Sequence, residues 1–430
     1  MLPSFFIRYK TLIVSSAIGL FILLSFLTIF LPHHENDEVI YQTLGIKLSH
    51  LQSYNLQGSE ILKILPQKIY NTQVFFRPPA FMLYLAFLYR ILGVVGLYLA
   101  PVIIYILLCI VIYKTVFLLT KSQHIALKSL LLSATSTLLI FLSTKIHLDL
   151  FLGLMISISL FFLIHYKEKQ QMASIFLSGL FFVFAVLTKY TALLFCPFFS
   201  VFLIIVSTKK RLLNLSLFFL PALLLVLWFY YLFFVAHVRL DALFSIPDQE
   251  MLTNFPFVRY VYNRPFYFYF LNIFLTNPLY LLFFIVLKKG VWHDLRNQYG
   301  FLLYFLISIV LAVFIALTLY GARGGTYQMR YILSAEPFLI ILLSLIPFEK
   351  YKSVHYLFYV FVINNLFLVL YNLGNAELLS FFEMMKNRWI YGFLRYFNSS
   401  WICCLGVKFS LLLQFLRSKY HLFPKNVALI

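Results

Sequence analysis

Charged residues are scarce in this chain of 430 residues. Only 11% of them are Asp, Glu, Lys or Arg, whereas 63% are hydrophobic and the mean hydropathy is +0.92. A soluble protein carries about 25% charged residues, so a soluble fold of this length could not cover its surface with so few. The apolar runs are long and continuous rather than short and alternating, which excludes a membrane β-barrel. The composition therefore predicts an all-α polytopic membrane protein.

Cysteines and the common catalytic motifs are scarce as well. The four cysteines lie in apolar stretches and have no metal-ligand spacing. The sequence contains no P-loop, GxGxxG, GxSxG or HExxH pattern. A nucleotide-dependent enzyme, a serine hydrolase and a metalloprotease therefore have no motif support.

The apolar runs predict the number of spans. The first run, Thr11–Leu31, follows two basic residues and exceeds a signal-peptide core, which indicates an uncleaved span. The later runs lie at about 98–120, 128–146, 150–165, 172–187, 191–207, 215–235, 267–287, 299–320, 332–348, 353–372 and 399–416. Together they predict about 12 transmembrane helices. We expect a single membrane-embedded domain, residues 1–430, that ends in a last span and a cytoplasmic tail at 399–430.

Two larger polar segments separate the runs. Residues 33–97 form the predicted first outer loop, and residues 236–266 form the second. Phe81–Leu92, within the first loop, is apolar but too short to span a bilayer, and it carries Arg90. This pattern is typical of a juxtamembrane helix lying at the interface.

Basic residues outnumber acidic ones by 34 to 14, giving a net charge of +20. With the spans above, the N-terminal side carries the larger basic excess, so the positive-inside rule places the N-terminus in the cytoplasm. The charge thus reflects membrane orientation and not a nucleic-acid partner. Most acidic residues lie on the opposite, outer face, where we look for chemistry.

The first acidic cluster, Glu35-Asn36-Asp37-Glu38, comes just after the first span. A carboxylate at the membrane surface can act as a general base or hold a metal. Alternatively, the cluster is a solvated loop in which Asn36 or Asp37 caps the next helix.

A second cluster lies between two predicted spans. Lys145, His147 and Asp149 alternate, so an extended stretch would point all three the same way. Ionisable groups at membrane depth are costly and are usually functional or paired. The alternative is an interfacial ion pair in which Lys145 snorkels to the surface. Lys189, at the same outer level, either snorkels or binds an anion.

Arginines mark two further segments. Arg323 and Arg330 lie in a glycine-containing stretch, GARGGTYQMRY, and could grip phosphate through forked hydrogen bonds. The alternative is an ordinary turn whose arginines lie among lipid headgroups. Arg77 precedes two prolines that lead into the juxtamembrane helix, where proline is common at a helix start.

The order of these segments resembles one family. NDEVIYQTLGIKL is followed by RPPAFMLYLAFLYRILG, KIHLDLFLGLMISISLFF, AVLTKYTALLFCPFF and QMRYILSAEPFLIIL. Between about residues 10 and 350 the chain resembles the polyprenyl-phosphate-dependent glycosyltransferases of the glycosyltransferase C superfamily. The branch of protein mannosyltransferases, aminoarabinose transferases and Rgt-like enzymes is the most similar.

The resemblance implies roles for individual residues. It assigns Asp37, with Glu38 beside it, as the catalytic base, and places Asp149 in the same cavity. It places Arg330 and Tyr331 near the donor phosphate. The site residues so predicted are Asp37, Glu38 and Asp149 for catalysis, Arg330, Tyr331, Arg323 and Lys189 for the donor phosphate, and Lys145, His147 and Arg77 along the cavity. No cofactor is required, and a divalent metal at the three carboxylates is left open.

The implied function is transfer of a sugar from a polyprenyl phosphate to a lipid, glycan or protein acceptor. The reaction would take place on the outer or lumenal face with inversion at the anomeric carbon. The enzyme would be multi-pass, in the plasma membrane, or in the endoplasmic reticulum of a eukaryote. The alternatives are a transporter or lipid flippase without chemistry and a non-catalytic membrane scaffold.

Overall fold

The computed structural model describes residues 36–63, 72, 74–207, 210–238, 267–287, 289–322 and 329–347, together with residue 19 and single positions from 358 to 365. These residues belong to the first of two compact units, Met1–Asn365 and Leu366–Ile430. The predicted first span, nearly all of the second outer loop and the predicted last span lie outside the described residues.

The described residues form helices and no β-strand, as predicted. Thirteen α-helices are labelled in chain order: α1 Asn36–Ser49, α2 Ala80–Leu92, α3 Val94–Thr120, α4 Gln123–Ala134, α5 Thr137–Ser143, α6 Leu148–Lys169, α7 Met172–Val186, α8 Cys196–Val206, α9 Arg211–Phe219, α10 Leu223–Tyr230, α11 Phe268–Thr276, α12 Lys289–Ala322 and α13 Glu336–Leu345. Shorter 3-10 segments join several of them, at Glu60–Lys63, Tyr190–Phe195, Leu220–Ala222, Pro278–Leu287 and Met329–Ser334.

Local sequence explains where several helices begin. Asp37 and Glu38 lie in the first turn of α1, where negative charge favours the helix dipole. Ser122 and Ser136 cap α4 and α5, and each side chain accepts a hydrogen bond from the backbone N–H three residues later. Such caps satisfy donors that a helix start leaves unpaired.

Four described helical stretches are long and apolar enough to cross a membrane: Val94–Thr120, Leu148–Lys169, Arg211–Val235 and Gly290–Gly321. The pair α4 and α5, bent by 57°, would make a fifth as one broken span. These helices are those of a multi-pass membrane protein. The total of about 12 spans stays a prediction.

Helix α2 is the short helix predicted next to the membrane. It begins after Pro79 and ends at Gly93, directly before the long apolar α3. It packs on α1, where Gly45 lets the helices approach closely: a Cβ atom there would lie 2.9 Å from Leu85 Cβ. The backbone N–H of Ala80 also donates to the carbonyl of Leu187 at 2.9 Å. These contacts hold α1 against the rest of the bundle.

Helix α6 lies at the centre of the described bundle. It is buried along most of its length and packs against α3, α7 and the 3-10 segment Met329–Ser334. The first turn of α6 and that 3-10 segment therefore meet at one end of the bundle. The N-terminus of α1 lies at the same end.

The junction between α2 and α3 depends on a glycine. Gly93 has φ 62° and ψ −146°, a conformation that residues with a side chain rarely adopt. No atom lies within 4 Å of the place a Cβ would take, so only backbone strain opposes a side chain there. We expect Gly93→Ala to destabilise the protein by about 1–3 kcal/mol.

Thermal unfolding of the purified protein in detergent measures this effect. Gly290→Ala is the matched control, because Gly290 lies in a helix, lacks a positive φ and has equal space around it. That variant should unfold at the same temperature as the parent or slightly higher. Equal losses in the two variants would contradict the proposed strain.

Candidate active site

Asp37, at the start of α1, accepts hydrogen bonds from an arginine far away in sequence. Its Oδ2 accepts from Arg330 Nη2 at 2.8 Å, and its Oδ1 lies 3.5 Å from Arg77 Nη1. Burial by itself would raise the pKa of the Asp37 carboxyl, but the charges of Arg77 and Arg330 outweigh it and hold that pKa well below its usual range. Asp37 is therefore an ionised carboxylate held between two guanidinium groups.

Arg330 is the centre of the site. Its Nη1 donates to His147 Nδ1 at 2.8 Å, and its Nε lies 3.8 Å from Asp149 Oδ2. Burial alone would lower the pKa of Arg330, but the carboxylates of Asp37 and Asp149 raise it, so the guanidinium stays charged. Because an arginine can only donate, His147 accepts this hydrogen bond at Nδ1.

A second ion pair lies beside this guanidinium. Lys189, just after α7, places Nζ 2.7 Å from Asp149 Oδ1. The same ammonium lies 4.3 Å from the ring centroid of Tyr331, and Arg330 lies 5.7 Å from that centroid. Both distances are within the range of a cation–π contact. Lys189 therefore joins Asp149 and Tyr331 to the cluster, in the region where the sequence predicts an anion site.

Glu38 points elsewhere. Its side chain is fully buried, and Oε1 accepts a hydrogen bond from the backbone N–H of Ile146 at 2.8 Å. Lys145 Nζ lies 4.0 Å from the other oxygen. Adjacent residues of a helix point about 100° apart, which separates the two carboxylates. Glu38 and Lys145 thus hold the chain that precedes α6.

The extended stretch predicted for Lys145, His147 and Asp149 is wrong. Helix α6 begins at Leu148, so Asp149 lies in its first turn while His147 precedes it with extended backbone. The three side chains therefore do not all point the same way. Lys145 faces Glu38, whereas His147 and Asp149 face Arg330.

Arg77 contacts the site through side chains of α1. Its Nη1 donates to the hydroxyl of Tyr41, and its guanidinium lies 5.7 Å from the centroid of that ring. The Tyr54 hydroxyl donates to the Arg77 carbonyl at 2.9 Å, which fixes the backbone at the two prolines. Sequence reasoning did not assign Tyr41 to the site. The available signal was its position four residues after Asp37, on the same helix face.

Two further predictions from the sequence concern Arg323 and a metal ion. Arg323 lies outside the described residues. Among the described residues, no group of three or more His, Cys, Asp or Glu side chains is placed to hold a metal ion. The guanidinium of Arg330 lies between the carboxylates of Asp37 and Asp149, in the position a dication would need. The described residues as arranged do not fit a divalent metal.

Comparisons with known proteins show what the chain is similar to. A family model described as dolichyl-phosphate-mannose-protein mannosyltransferase matches residues 76–234. The structure is similar to the crystal structure of ArnT from Cupriavidus metallidurans bound to undecaprenyl phosphate, with a TM-score of 0.58 and 15% identity over 78% of this chain and 59% of that one. The apo state of ArnT gives a TM-score of 0.57 and 15% identity over 81% and 62% of the two chains. The chain therefore has an ArnT-like fold, and residues 76–234 match the mannosyltransferase family model.

The resemblance drawn from the sequence motifs is thus confirmed. The family match contains Arg77, His147, Asp149 and Lys189, while Asp37 and Arg330 lie outside it. The chain spans about three fifths of the length of the ArnT structures it resembles. No curated protein matches it in sequence. The roles of individual residues on this glycosyltransferase C fold stay predictions.

The two ends of α6 provide a matched test of burial. Asp149, near its start, pairs with Lys189 at 2.7 Å with side-chain exposures of 5% and 26%. Glu168, near its end, pairs with Lys121 at 2.8 Å with exposures of 28% and 59%. Removing one partner of a buried pair costs several kcal/mol, whereas an exposed pair contributes little.

We expect Asp149→Asn to destabilise the protein by about 3 kcal/mol, because it leaves Arg330 and Lys189, both largely shielded from water, without their shared carboxylate. Glu168→Gln should cost less than about 1 kcal/mol. Thermal unfolding in detergent compares the two variants directly. A loss for Glu168→Gln that equals the loss for Asp149→Asn would show that burial does not set the strength of the Asp149 pair.

Proposed function

We propose that this chain is an integral-membrane glycosyltransferase that takes a sugar from a polyprenyl phosphate. The observation that carries the proposal is the guanidinium of Arg330, which joins Asp37, His147 and Asp149 on a fold shared with an undecaprenyl-phosphate-bound protein. The arrangement combines a cationic site with a neighbouring ionised carboxylate. Displacement of a phosphate from a sugar requires both groups.

The charge of the cluster supports an anionic ligand. Arg77, Arg330 and Lys189 provide three positive charges, and Asp37 and Asp149 provide two negative ones. The surplus of one positive charge equals the single negative charge of a phosphodiester, which is the linkage in a polyprenyl-phosphate sugar. Arg330 and Lys189 would neutralise the phosphate as it leaves, with Tyr331 beside them and Arg77 on the side of Asp37.

The same cations set the basicity of Asp37. In the ligand-free arrangement Arg77 and Arg330 hold the pKa of its carboxyl well below its usual range, which makes the carboxylate a weak base. A bound phosphate would compete for both guanidinium groups and so raise that pKa. Donor binding would thereby activate the base, and the enzyme would bind its donor before it activates the acceptor.

The proposed step is a single displacement. An acceptor oxygen or nitrogen attacks the anomeric carbon and forms the new bond, while Asp37 takes the acceptor proton. The bond between the anomeric carbon and the phosphate oxygen breaks, and its electron pair leaves with the polyprenyl phosphate. Attack from the face opposite the phosphate inverts the anomeric configuration. The acceptor is a lipid, a glycan or a protein.

The proposed step needs no metal, because Arg330 already lies between the two carboxylates that would coordinate one. This part of the proposal can be tested separately. Transfer should be unchanged when EDTA replaces added divalent cations. A strict requirement for a divalent ion would overturn it.

The proposed location is the outer face of a plasma membrane, or the lumenal face of the endoplasmic reticulum, with the N-terminus in the cytoplasm. Helix α6 has 22 residues and runs from the site to Lys169, a length of about 33 Å. This distance would cross a bilayer core. Lys121, Lys167 and Lys169 would then lie on the cytoplasmic side.

Substitution of Asp37 tests the proposed base. The purified protein is incubated with radiolabelled polyprenyl-phosphate sugars and total membrane lipid, and transfer to lipid, glycan or protein is followed. We expect Asp37→Asn to lower transfer by roughly 10²–10⁴-fold, the usual range for loss of general-base help. Binding of the donor should survive, because the cations remain.

Two carboxylates of the same outer segment are controls. Glu60 is 85% exposed and pairs with nearby Lys63, so Glu60→Gln should leave transfer unchanged. Glu38→Gln keeps an oxygen for the Ile146 N–H and should cost less than Asp37→Asn. Normal transfer by Asp37→Asn would remove it as the base. Movement of labelled lipid across the membrane without sugar transfer would instead support a transporter or flippase.

Cysteine labelling tests the orientation. Ser53 and Lys169 are exposed and lie at opposite ends of the proposed topology. A membrane-impermeant maleimide added to intact cells should label Ser53→Cys and should not label Lys169→Cys, with the parent chain as the background. Labelling of both from the outside would contradict the proposed orientation.

A further inference from the structure

Glu336 is a buried carboxyl group that the proposed chemistry does not use. Glu336 is the first residue of α13 and is 1% exposed. Its Oε1 accepts a hydrogen bond from Ser136 Oγ at 2.6 Å. None of the ion pairs in the described part of the chain includes it. An apolar side chain would pack at this position without the cost of burying a carboxyl group. The carboxyl group therefore calls for a role other than packing.

Breaks in three helices meet around Glu336. Ser136 lies in the break between α4 and α5, and Glu336 begins α13 directly after the break that follows the 3-10 segment Met329–Ser334. Asn277 separates α11 from the 3-10 segment Pro278–Leu287, and it faces the Glu336 carboxyl. Asn365 Nδ2 donates to Asn277 Oδ1 at 2.7 Å and to the carbonyl of Thr135 at 3.2 Å. These polar groups therefore fix the broken ends of the helices relative to one another.

Two of these broken segments lead directly to the candidate site. Helix α5 runs from Ser136 towards His147, and the 3-10 segment runs from Arg330 towards Glu336. The segments pack side by side in opposite directions. The hydrogen bond from Ser136 to Glu336 joins them at one end, and the hydrogen bond from Arg330 to His147 joins them at the other.

We propose that Glu336 is a positioning residue that fixes the register of α5 against the 3-10 segment and so holds Arg330 against His147 and Asp37. The proposal rests on the function proposed above. Displacement of a phosphate-binding group by about 1 Å can cost 10²-fold in rate, so a bond that sets this register acts on the site from a distance. Glu336 itself touches no reacting atom.

The experiment compares variants at both ends of the two segments. Binding of undecaprenyl phosphate and sugar transfer are measured for Glu336→Leu, Ser136→Ala, Glu336→Gln and Arg330→Lys, and for each of the first two combined with Arg330→Lys. Glu336→Leu and Ser136→Ala should each weaken binding and transfer by about tenfold. Glu336→Gln retains an oxygen that accepts from Ser136 and should keep most of both.

Non-additivity separates positioning from mere stability. Once Arg330→Lys has removed the forked guanidinium, Glu336→Leu should weaken binding by less than about twofold, because there is no longer a placed fork to lose. Additive losses in the double variants would overturn the proposal. So would unchanged binding and transfer in Glu336→Leu.

Ser178→Ala is the matched control. Ser159 lies in α6 and Ser178 in α7, and both are buried. Each hydroxyl donates a hydrogen bond to the backbone carbonyl of the other residue, at 2.8 and 2.9 Å. Ser159 lies ten residues along α6 from Asp149. This variant should lower the unfolding temperature without weakening binding or transfer. Losses of binding in Ser178→Ala that equal those in Ser136→Ala would show general instability and overturn the positioning role.

The two proposals fail in different ways. A parent protein that binds undecaprenyl phosphate but transfers no sugar overturns the glycosyltransferase function, while the binding data still report on Glu336. A parent protein that transfers sugar, with Glu336→Leu fully active, overturns the positioning role alone. A parent protein that does neither overturns both.

Discussion

The buried guanidinium of Arg330 is the interaction on which the described structure depends. It hydrogen-bonds to Asp37, 293 residues earlier in the chain, and to His147, 183 residues earlier. A charge away from water is costly unless partners surround it, and these partners come from α1, the stretch before α6 and α6 itself. Each of these elements therefore has to pack in one arrangement for the charge to be satisfied. The need to satisfy this charge therefore shapes both the candidate site and the packing of the bundle.

The other charged residues around Arg330 differ in how exposed they are. Glu38 and Lys145 are almost fully buried and hold the chain before α6, whereas Arg77 is 29% exposed and lies 3.5 Å from Asp37. A contact of that length and exposure is weaker than the 2.8 Å bond from Arg330. Arg77 is therefore the cation that an incoming anion could recruit at the smallest cost. A rigid inner layer with a looser outer cation would suit the proposed donor site.

Broken helices give this fold its polar interior. The described helices are interrupted at Ser136, Asn277 and Glu336, and the backbone groups freed there need partners inside the bundle. Side chains at the same breaks supply them. Of the two short segments that leave this cluster, α5 leads towards His147, and Met329–Ser334 contains Arg330.

Much of the fold could be predicted from the sequence because its signals are local. Continuous apolar runs predicted the helices now seen at Val94–Thr120 and Leu148–Lys169, and a short run with Arg90 predicted the separate helix Ala80–Leu92. Rare charges in an apolar chain also marked Asp37 and Lys189, because a buried charge needs a reason. Each of these inferences uses residues that lie within about one helix length of each other.

The tertiary structure decided which of these charges meet. Nothing local distinguishes Asp37 from Glu38, yet one faces Arg330 and the other the backbone of Ile146, because a helix turns about 100° per residue. The expected extended stretch failed for a related reason: the helix begins at Leu148, and that start sets the direction of Asp149. Composition and the continuous apolar runs alone determined that this is a helical membrane protein. Ion pairs between residues a hundred or more positions apart follow from packing, which leaves no local pattern in the chain.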